Sequence, residues 1–481
     1  MCAAAWLCPA GSHAAEPLPP AVVKALARSG LPLKSFGFHV QPVEADTAAA
    51  FTSLNAEQPF VMASTTKLVT SLAALDLLGP EHLWRTQAFA TAPVDKGRLV
   101  GDLVIVGGSA GLTPAELSRW FRQMRAEGLT EVKGRIVLER VSLLHEQQPA
   151  QAATTAAERS PGPVDAQTYH RGALVVSVQP TRGERAAVSL SPNPGGVHII
   201  NEVSMGGGCA AWARWQTGPG SASGAPQLWV SGRWDTSCGS RPVAHVRLPA
   251  TARIATSSSP PPLVLSTPSL VAELWAASGG KLRGRVVETQ QRISRPAEAA
   301  ALDAWSSEVA IPLPDVIREI NKTSNNLAAR SLLLALSPLA SAGALGAAQA
   351  RVHAWLRAQG LADGDIRIDQ GSGQSRIERG KPRALVQLLL NAWRGSGSKA
   401  FVDSLPIAGV DGTLAHRMRN GLATGHAYLK TGTLSDARAL AGYVRAKSGK
   451  VYAMAAIVNH PDAARATPAL DAMVEWLASN G

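Results

Sequence analysis

The chain has 481 residues, 46% of them hydrophobic and 17% charged, and its 47 basic and 35 acidic residues give a net charge of +12. This composition excludes wholesale disorder, which needs low hydrophobicity and high charge, and the length predicts two or three domains. The basic balance is compatible with a polyanionic partner, namely nucleic acid, an acidic polymer or an anionic membrane surface, or with a solvated surface that has no partner.

The first 15 residues resemble the end of a secretory signal segment. A short apolar stretch around Trp6 and Leu7 leads to small residues suited to cleavage near Ala14 or Ala15. The positively charged start of such segments is absent. We therefore expect either a truncated signal segment at 1–15, and hence a periplasmic protein, or an N-terminal tail without a targeting role.

The patterns that follow change character twice along the chain. Apolar spacing predicts a helix that starts at Ser64 and ends before Gly79. From about 85 to 261, short strand-like runs dominate, with one helix near 113–127 and a loop at 146–163. After a Pro-rich boundary, Ala/Leu-rich helices return up to about 396, and strands and a closing helix end the chain. We detect no internal repeat.

This order predicts an α+β protein in which one domain is split by an insertion. Residues 16–86 plus 262–481 would form the split domain, and 87–261 the strand-rich inserted part. The uncharged stretch 331–350 has the length of a membrane-spanning helix, but Pro338 and many small residues favour a buried helix, a break and a second helix.

Four cysteines divide into two pairs. Cys2 and Cys8 would leave with a signal segment, whereas Cys209 and Cys238 lie in a Gly-rich region. The second pair predicts a disulfide, and the alternative is two buried free thiols. The sequence contains no Cys or His cluster with metal-ligand spacing, so we expect no metal site and no cofactor.

Ser64 and Lys67 form the first chemical motif, S-x-x-K. A serine at a helix start lies beside the positive end of the helix, and a lysine three residues later lies one turn away on the same face. If burial and nearby cations keep its amine neutral, the lysine can accept the serine proton. The alternative is an ordinary capped helix start. Two further S-x-x-K strings, Ser278–Lys281 and Ser396–Lys399, lie in Gly-rich stretches.

Ser324 and Asn326 form the second motif, S-x-N, just before a predicted helix. The alternative function of Ser324 is to cap that helix. The third motif is Lys430-Thr-Gly-Thr433, which follows an alternating strand. Its lysine and threonine side chains suit a carboxylate bound beside an edge strand, where a glycine leaves room for the substrate. The alternative is a lysine-capped turn.

The three motifs occur in the order S-x-x-K, S-x-N, K-T-G, which is typical of penicillin-binding proteins and serine β-lactamases. The long interval between the first two requires an inserted domain, which the strand-rich middle supplies. The chain resembles class C low-molecular-mass penicillin-binding proteins, which are D-alanyl-D-alanine carboxypeptidases/endopeptidases of the DacB type. Further stretches match this family, with Gln370 extra and Gln374 in place of leucine; they are residues 55–60, 101–108, 369–376 and 405–413.

The resemblance implies a transpeptidase-like fold, with an antiparallel sheet flanked by helices, and acyl-enzyme chemistry on Ser64. Lys67 would be the general base for acylation. Ser324, with Lys67 and Lys430, would relay the proton to the leaving amine, and Asn326 would hydrogen-bond the substrate amide and position Lys67. The implied substrates are D-Ala-D-Ala stem peptides and peptide cross-links of peptidoglycan, with β-lactam antibiotics as covalent inhibitors.

The K-T-G strand carries the implied binding groups. Lys430, Thr431 and Thr433 would bind the terminal carboxylate beside Gly432. The backbone N–H groups of Ser64 and Thr433 would form the oxyanion hole.

Two other functions stay open at this point: a serine β-lactamase-like hydrolase, and a non-catalytic protein that binds peptidoglycan. Nucleic-acid binding has only the charge in its favour, so we expect no nucleic-acid partner. Peripheral contact with a membrane surface and a homodimer are retained as alternatives.

Overall fold

The computed structural model describes residues 18–44, 52–107, 114–139, 173–191, 198–216, 227–247, 267–289, 305–337 and 345–480. These residues form two compact units. The first unit contains the described residues up to Leu83 and from Pro312 onward, and the second unit contains those from Trp84 to Ile311. The predicted signal segment 1–15, the predicted loop 146–163 and the Pro-rich boundary 257–262 lie outside the described residues.

The helices are α1 (Pro20–Ser29), α2 (Thr66–Leu78), α3 (Pro114–Ala126), α4 (Thr267–Ala277), α5 (Leu313–Thr323), α6 (Asn326–Ala335), α7 (Leu345–Ala358), α8 (Pro382–Arg394), α9 (Ser398–Ser404) and α10 (Thr467–Asn480). The strands up to residue 191 are β1 (Phe36–Pro42), β2 (Thr52–Leu54), β3 (Phe60–Val61), β4 (Leu83–Ala90), β5 (Val94–Asp95), β6 (Arg98–Leu99), β7 (Leu103–Gly107), β8 (Glu131–Val132), β9 (Ile136–Glu139), β10 (Ala173–Gln179) and β11 (Ala187–Ser191). The later strands are β12 (His198–Met205), β13 (Cys209–Gln216), β14 (Gln227–Trp234), β15 (Arg241–Arg247), β16 (Lys281–Leu282), β17 (Val286–Thr289), β18 (Ser306–Pro312), β19 (Ile366–Arg367), β20 (Arg379–Gly380), β21 (Ala427–Thr433), β22 (Ala437–Arg445) and β23 (Val451–Asn459).

A five-stranded antiparallel sheet forms the centre of the first unit, in the order β2-β1-β23-β22-β21. Alternate residues of β22 serve opposite faces, as the period of a strand requires. Leu440 and Val444 join the core that buries α1 and α10, whereas the Tyr443 hydroxyl donates to the Leu389 carbonyl of α8 at 2.7 Å. Helices therefore flank the antiparallel sheet, and the predicted α+β class is confirmed.

The second unit is built from several sheets. Among its described strands, the largest sheet, β17-β9-β7-β4-β18, has five strands, and three smaller ones follow the orders β16-β8-β6-β5, β11-β10-β15 and β12-β14-β13. Trp275 of α4 meets Phe121 of α3 edge to face, with ring centroids 5.6 Å apart. A disulfide joins Cys209 at the start of β13 to Cys238 in the turn after β14, which confirms the predicted pair and excludes the free thiols.

Two helix–strand–strand segments of the second unit stack in parallel register. In the pairs β8/β16 and β9/β17, Glu131 lies beside Lys281 and Ile136 beside Val286, at a constant offset in residue number. A Cβ on Gly284 would lie 2.2 Å from the Gly134 carbonyl oxygen, so a glycine is needed where the segments meet. The two segments therefore share a pairing pattern, and the absence of an internal repeat stays a prediction from the sequence.

The second unit extends past residue 261, where the sequence placed the end of the insertion. The Ala/Leu-rich helix α4 looked like the return of the split domain. However, β16 and β17, which follow it, pair with strands of the second unit, and β18 completes the largest sheet there. The units divide between Ile311 and Pro312.

Within the described ranges, none of the helices combines the length and the apolar character needed to cross a membrane. In the stretch 331–350, α6 ends at Ala335 and α7 begins at Leu345.

Candidate active site

Ser64 lies at the turn that opens α2. It occupies a short 3₁₀ turn, Ala63–Thr65, that runs directly into the helix. Ala63 has a φ of 47°, a left-handed conformation that residues other than glycine seldom adopt. The Thr65 hydroxyl donates to the Met62 carbonyl at 2.6 Å. Ala63 and Thr65 are buried and Ser64 is half-buried, so the strained turn presents the serine at the start of the helix.

Lys67 follows one helical turn later and is 0% exposed. Its Nζ donates to Ser64 Oγ at 3.0 Å and to Asn326 Oδ1 at 2.7 Å, and it also contacts the Ser372 carbonyl oxygen. These partners are a hydroxyl, an amide and a carbonyl, and all three are uncharged. The first motif therefore forms a direct serine–lysine pair.

Burial lowers the pKa of Lys67 well below its usual range. The neighbouring cations Lys430 and Arg330 lower this pKa further, and the carboxylate of Glu378 opposes them. Desolvation disfavours the charged form of an amine, and like charges add to this effect. The amine is thereby biased toward the neutral form that can accept a proton.

Ser324 and Asn326 reach the site from the junction of α5 and α6. Ser324 ends α5 with a left-handed φ of 56°. Asn325, and not Ser324, caps α6, since its side chain accepts the Ala328 N–H at 3.2 Å. The alternative in which Ser324 caps the helix that follows it is therefore wrong. The sharp turn leaves Ser324 beside Lys430 and directs Asn326 to Lys67.

Lys430 lies in β21, which is the edge strand of the central sheet among the described strands. It is 0% exposed, and its Nζ donates to Ser324 Oγ at 3.1 Å and to the Thr431 carbonyl at 2.8 Å. Burial lowers the pKa of Lys430 to about 7. Because Lys430 to Thr433 are part of the strand, the third motif is not the lysine-capped turn of the alternative.

The end of β21 lies close to the nucleophile turn. A Cβ on Gly432 would be 2.9 Å from the Met62 carbonyl oxygen and 3.1 Å from the Ala63 Cβ, so a side chain here would force the strand away. Thr433 is exposed at the strand end. The Thr431 hydroxyl donates to the Thr413 hydroxyl at 2.7 Å. The structure thus brings all three predicted motifs into one site.

The other matches to these motifs do not come together with the site. Lys399 of the Ser396 string has a side chain that is 88% exposed and is paired with Asp403. Ser278 lies in the second unit, after α4, where its hydroxyl donates to the Trp275 carbonyl. The Ser278 string follows a helix instead of opening one, and the Ser396 string runs into α9 but carries its lysine on the surface.

Three residues at the site had no role in the sequence analysis. The Ser372 carbonyl and the Thr413 hydroxyl belong to stretches that match the family pattern, which was a signal for their position but not for their contacts. Glu378 is a fully buried carboxylate without any signal in the sequence. Among the described residues, no group of His, Cys, Asp and Glu side chains is arranged to hold a metal ion.

Comparison with known proteins identifies the family. The D-alanyl-D-alanine carboxypeptidase of Actinomadura sp. (strain R39) is 26% identical over 428 residues, which cover 85% of this chain and 75% of that protein. Carboxypeptidase DacB of Mycolicibacterium smegmatis is 32% identical over 182 residues, covering 35% of this chain and 38% of that protein.

Solved structures share the fold. Penicillin-binding protein 4 (DacB) from Haemophilus influenzae has a TM-score of 0.61 at 18% identity, covering 94% of this chain and 99% of that one. A predatory endopeptidase from Bdellovibrio bacteriovorus has a TM-score of 0.53 at 16% identity, covering 92% of this chain and 91% of that one. The model of the D-Ala-D-Ala carboxypeptidase 3 (S13) family matches residues 20–480. The chain therefore belongs to the D-Ala-D-Ala carboxypeptidase 3 (S13) family, and the predicted class, a serine-type D-Ala-D-Ala carboxypeptidase, is confirmed.

Proposed function

We propose that this enzyme cleaves D-Ala-D-Ala stem peptides and peptide cross-links of peptidoglycan through an acyl-enzyme on Ser64, and that β-lactams acylate the same serine. The observation that carries the proposal is the buried amine of Lys67, which lies 3.0 Å from Ser64 Oγ and, among the described residues, hydrogen-bonds only to uncharged groups. A buried amine without a counter-ion in contact is costly to maintain, and this position beside a hydroxyl suits a general base.

The neutral form of Lys67 matches its three partners. A neutral amine has two N–H groups and one lone pair. The N–H groups can bind Asn326 Oδ1 and the Ser372 carbonyl, which leaves the lone pair to accept the proton of Ser64. The serine Oγ then attacks the carbonyl carbon of the penultimate D-Ala, an ester forms, and the C–N bond to the leaving amine breaks.

Ser324 and Lys430 form a second hydrogen-bonded pair for the proton that Lys67 has taken up. The Lys430 ammonium donates to Ser324 Oγ at 3.1 Å, so the hydroxyl proton of Ser324 remains available to another acceptor. In our proposal Ser324 passes a proton to the departing amine. In the second half-reaction it helps a water molecule to attack the ester, which releases the shortened peptide and frees Ser64.

The edge strand supplies the binding groups. The ammonium of Lys430 and the hydroxyls of Thr431 and Thr433 are assigned to the carboxylate of the terminal D-Ala. The backbone N–H groups of Ser64 and Thr433 are assigned to the oxyanion hole, where each donor contributes ~3 kcal/mol in comparable sites. The close approach of Gly432 to the Met62 carbonyl supports this assignment.

The relatives support the wider substrate range. One solved structure with this fold is a predatory endopeptidase, and another is the Haemophilus influenzae penicillin-binding protein 4 complexed with a β-lactam, with a TM-score of 0.58 at 19% identity. The Cys209–Cys238 disulfide supports an oxidising compartment, and we propose the periplasm. We assign catalysis to the first unit and treat the second unit as the inserted domain. Membrane contact and a homodimer stay predictions.

The test is covalent labelling with fluorescent penicillin. We expect purified protein to be labelled and Ser64→Ala to lose labelling and D-Ala release by about 10³-fold or more. Ser396→Ala, which alters the serine of an unused S-x-x-K string, is the matched control and should label normally. Mass spectrometry of products from cross-linked and uncross-linked muropeptides then separates endopeptidase from carboxypeptidase activity. Labelling that survives Ser64→Ala would refute the assignment of the nucleophile.

A further inference from the structure

Glu378 is a buried carboxylate that the proposed reaction does not use. Its side chain is 0% exposed and accepts four hydrogen bonds from the backbone of the preceding loop, residues 369–373. Oε1 accepts the N–H groups of Asp369 at 3.3 Å, Gln370 at 2.9 Å and Gly371 at 2.5 Å, and Oε2 accepts that of Gly373 at 2.6 Å. Successive backbone N–H groups that converge in this way form a site for an anion.

The loop that Glu378 binds contacts α2 at two places. The Ser372 carbonyl accepts from Lys67 Nζ, and the Gly371 carbonyl accepts from the Thr70 hydroxyl at 2.8 Å. The loop is therefore attached to the helix that carries the general base.

The same loop also lies against the nucleophile turn. A Cβ on Gly373 would lie 1.9 Å from the Ala63 carbonyl oxygen and 2.6 Å from the Ser64 backbone nitrogen. The main chain of Glu378 takes part as well, since its carbonyl accepts the Met62 N–H at 3.1 Å. The shape of the loop is thus coupled to the positions of both Ser64 and Lys67.

We propose that Glu378 is a positioning residue for acylation, whose carboxylate holds loop 369–373 so that the Ser372 carbonyl meets Lys67 Nζ and whose negative charge offsets the cations around that amine. This inference rests on the proposed function, because it takes Lys67 as the general base.

The charge of Glu378 has a defined effect on Lys67. The ionisable groups that face the amine are Lys430 from β21, Arg330 from α6 and Glu378, and Asp369 faces Glu378 from the loop. Burial raises the pKa of Glu378 itself, while the backbone N–H groups of the loop favour its ionised form. In that form Glu378 raises the pKa of Lys67, whereas the two cations lower it. Removing the negative charge would therefore lower the pKa of Lys67 further, and the amine would stay neutral to a lower pH.

The test compares two substitutions of Glu378 in the full-length enzyme. Glu378→Gln keeps the size and removes the charge, and Glu378→Asp keeps the charge and shortens the reach to the loop. We measure the second-order rate constant of penicillin acylation against pH, and melting temperatures verify folding. Glu57→Gln is the control, because Glu57 is an exposed glutamate of the same unit, paired with Arg383.

For Glu378→Gln we expect acylation to slow by about 10- to 100-fold and the acid limb of the pH profile to move to lower pH. For Glu378→Asp we expect a slower reaction with the acid limb near its wild-type position, and for Glu57→Gln no change in either quantity. A slower Glu378→Gln enzyme with an unmoved acid limb would overturn the electrostatic part of the proposal. Wild-type rates in both Glu378 variants would overturn all of it.

Two possible complications have defined readings. If Glu378→Gln does not fold, Glu378→Asp remains the test, and a wild-type rate in that variant contradicts the proposal. If wild-type enzyme is not acylated at Ser64 at all, the proposed function fails instead. The two failures are therefore distinguishable.

Discussion

The two units differ in whether their described parts bury lysine side chains. In the first unit, Lys67, Lys430 and Glu378 are each 0% exposed, and their hydrogen bonds go to hydroxyl, amide, carbonyl and backbone N–H groups. In the described part of the second unit, the lysines are all exposed; they are Lys96, Lys133 and Lys281. The carboxylates Asp102 and Glu131 there pair with arginines whose side chains are 55% and 70% exposed.

This difference indicates where chemistry takes place. Removing a charge from water without an opposite charge in contact costs free energy that packing must offset, and perturbed groups of this kind concentrate at functional sites. Ion pairs at a surface contribute little to stability or reactivity. We therefore interpret the buried amines of the first unit as the functional groups of the proposed reaction, and the paired charges of the second unit as structural.

The largest effect is expected from the base. Lys67→Ala removes the proton acceptor beside Ser64 and should slow acylation by penicillin about 10²- to 10⁴-fold. Lys399→Ala is the matched control, because Lys399 belongs to an unused S-x-x-K string and its side chain is 88% exposed. Stopped-flow acylation kinetics measure both variants. Equal rates for Lys67→Ala and wild type would contradict the interpretation of the buried lysine as the general base.

The three motifs of the site could be predicted from the sequence better than the residues around them, because each motif depends on local secondary structure. Ser64 precedes an apolar helix and Lys430 lies within the strand β21, so short-range patterns predict the local structure that each motif requires. Glu378 binds backbone groups of a loop, and such contacts leave no residue pattern. Likewise, the composition of α4 does not tell to which unit the helix belongs. The pairing of β16 and β17, which follow α4, with strands of the second unit assigns it there.

Removing the disulfide should lower the stability of the second unit and leave the reaction of the first unit unchanged. Replacing Cys209 and Cys238 together by serine removes a bridge between residues 29 positions apart, which should cost ~3 kcal/mol in the free energy of unfolding. We expect a lower melting temperature in calorimetry, with acylation of the folded protein by penicillin within about twofold of wild type. A large loss of acylation in folded protein would show that the second unit contributes to the reaction.

Lys430 should make the stability of the first unit depend on pH. Burial lowers its pKa in the folded state to about 7, from 10.5. Between these values the unfolded chain binds a proton that the folded chain lacks, so the free energy of unfolding rises with pH, at most by ~1.4 kcal/mol per pH unit. Below about pH 7 Lys430 is protonated in both the folded and the unfolded state, and the buried charge lowers the free energy of unfolding by its full amount.

Lys430→Met removes this penalty, and the variant should gain stability over wild type at neutral pH and lose that gain as the pH approaches 10.5. Urea unfolding at low and high pH measures the difference, and Lys399→Met, at an exposed position, should show no such pH dependence. The prediction fails if the difference between Lys430→Met and wild type is the same at both pH values.

The smallest effect is expected at a surface ion pair of the second unit. Arg135 and Asp102 lie 2.7 Å apart, with side chains 55% and 23% exposed. Arg135→Gln should leave the melting temperature nearly unchanged, since solvent screens the pair and the bond from the Arg135 backbone N–H to Asp102 at 2.7 Å is retained. A double-mutant cycle with Asp102→Asn isolates the side-chain term. A strong coupling between the two side chains, or a changed acylation rate, would mean that this exposed ion pair contributes as much as the buried charges of the first unit, and the contrast between the units would fail.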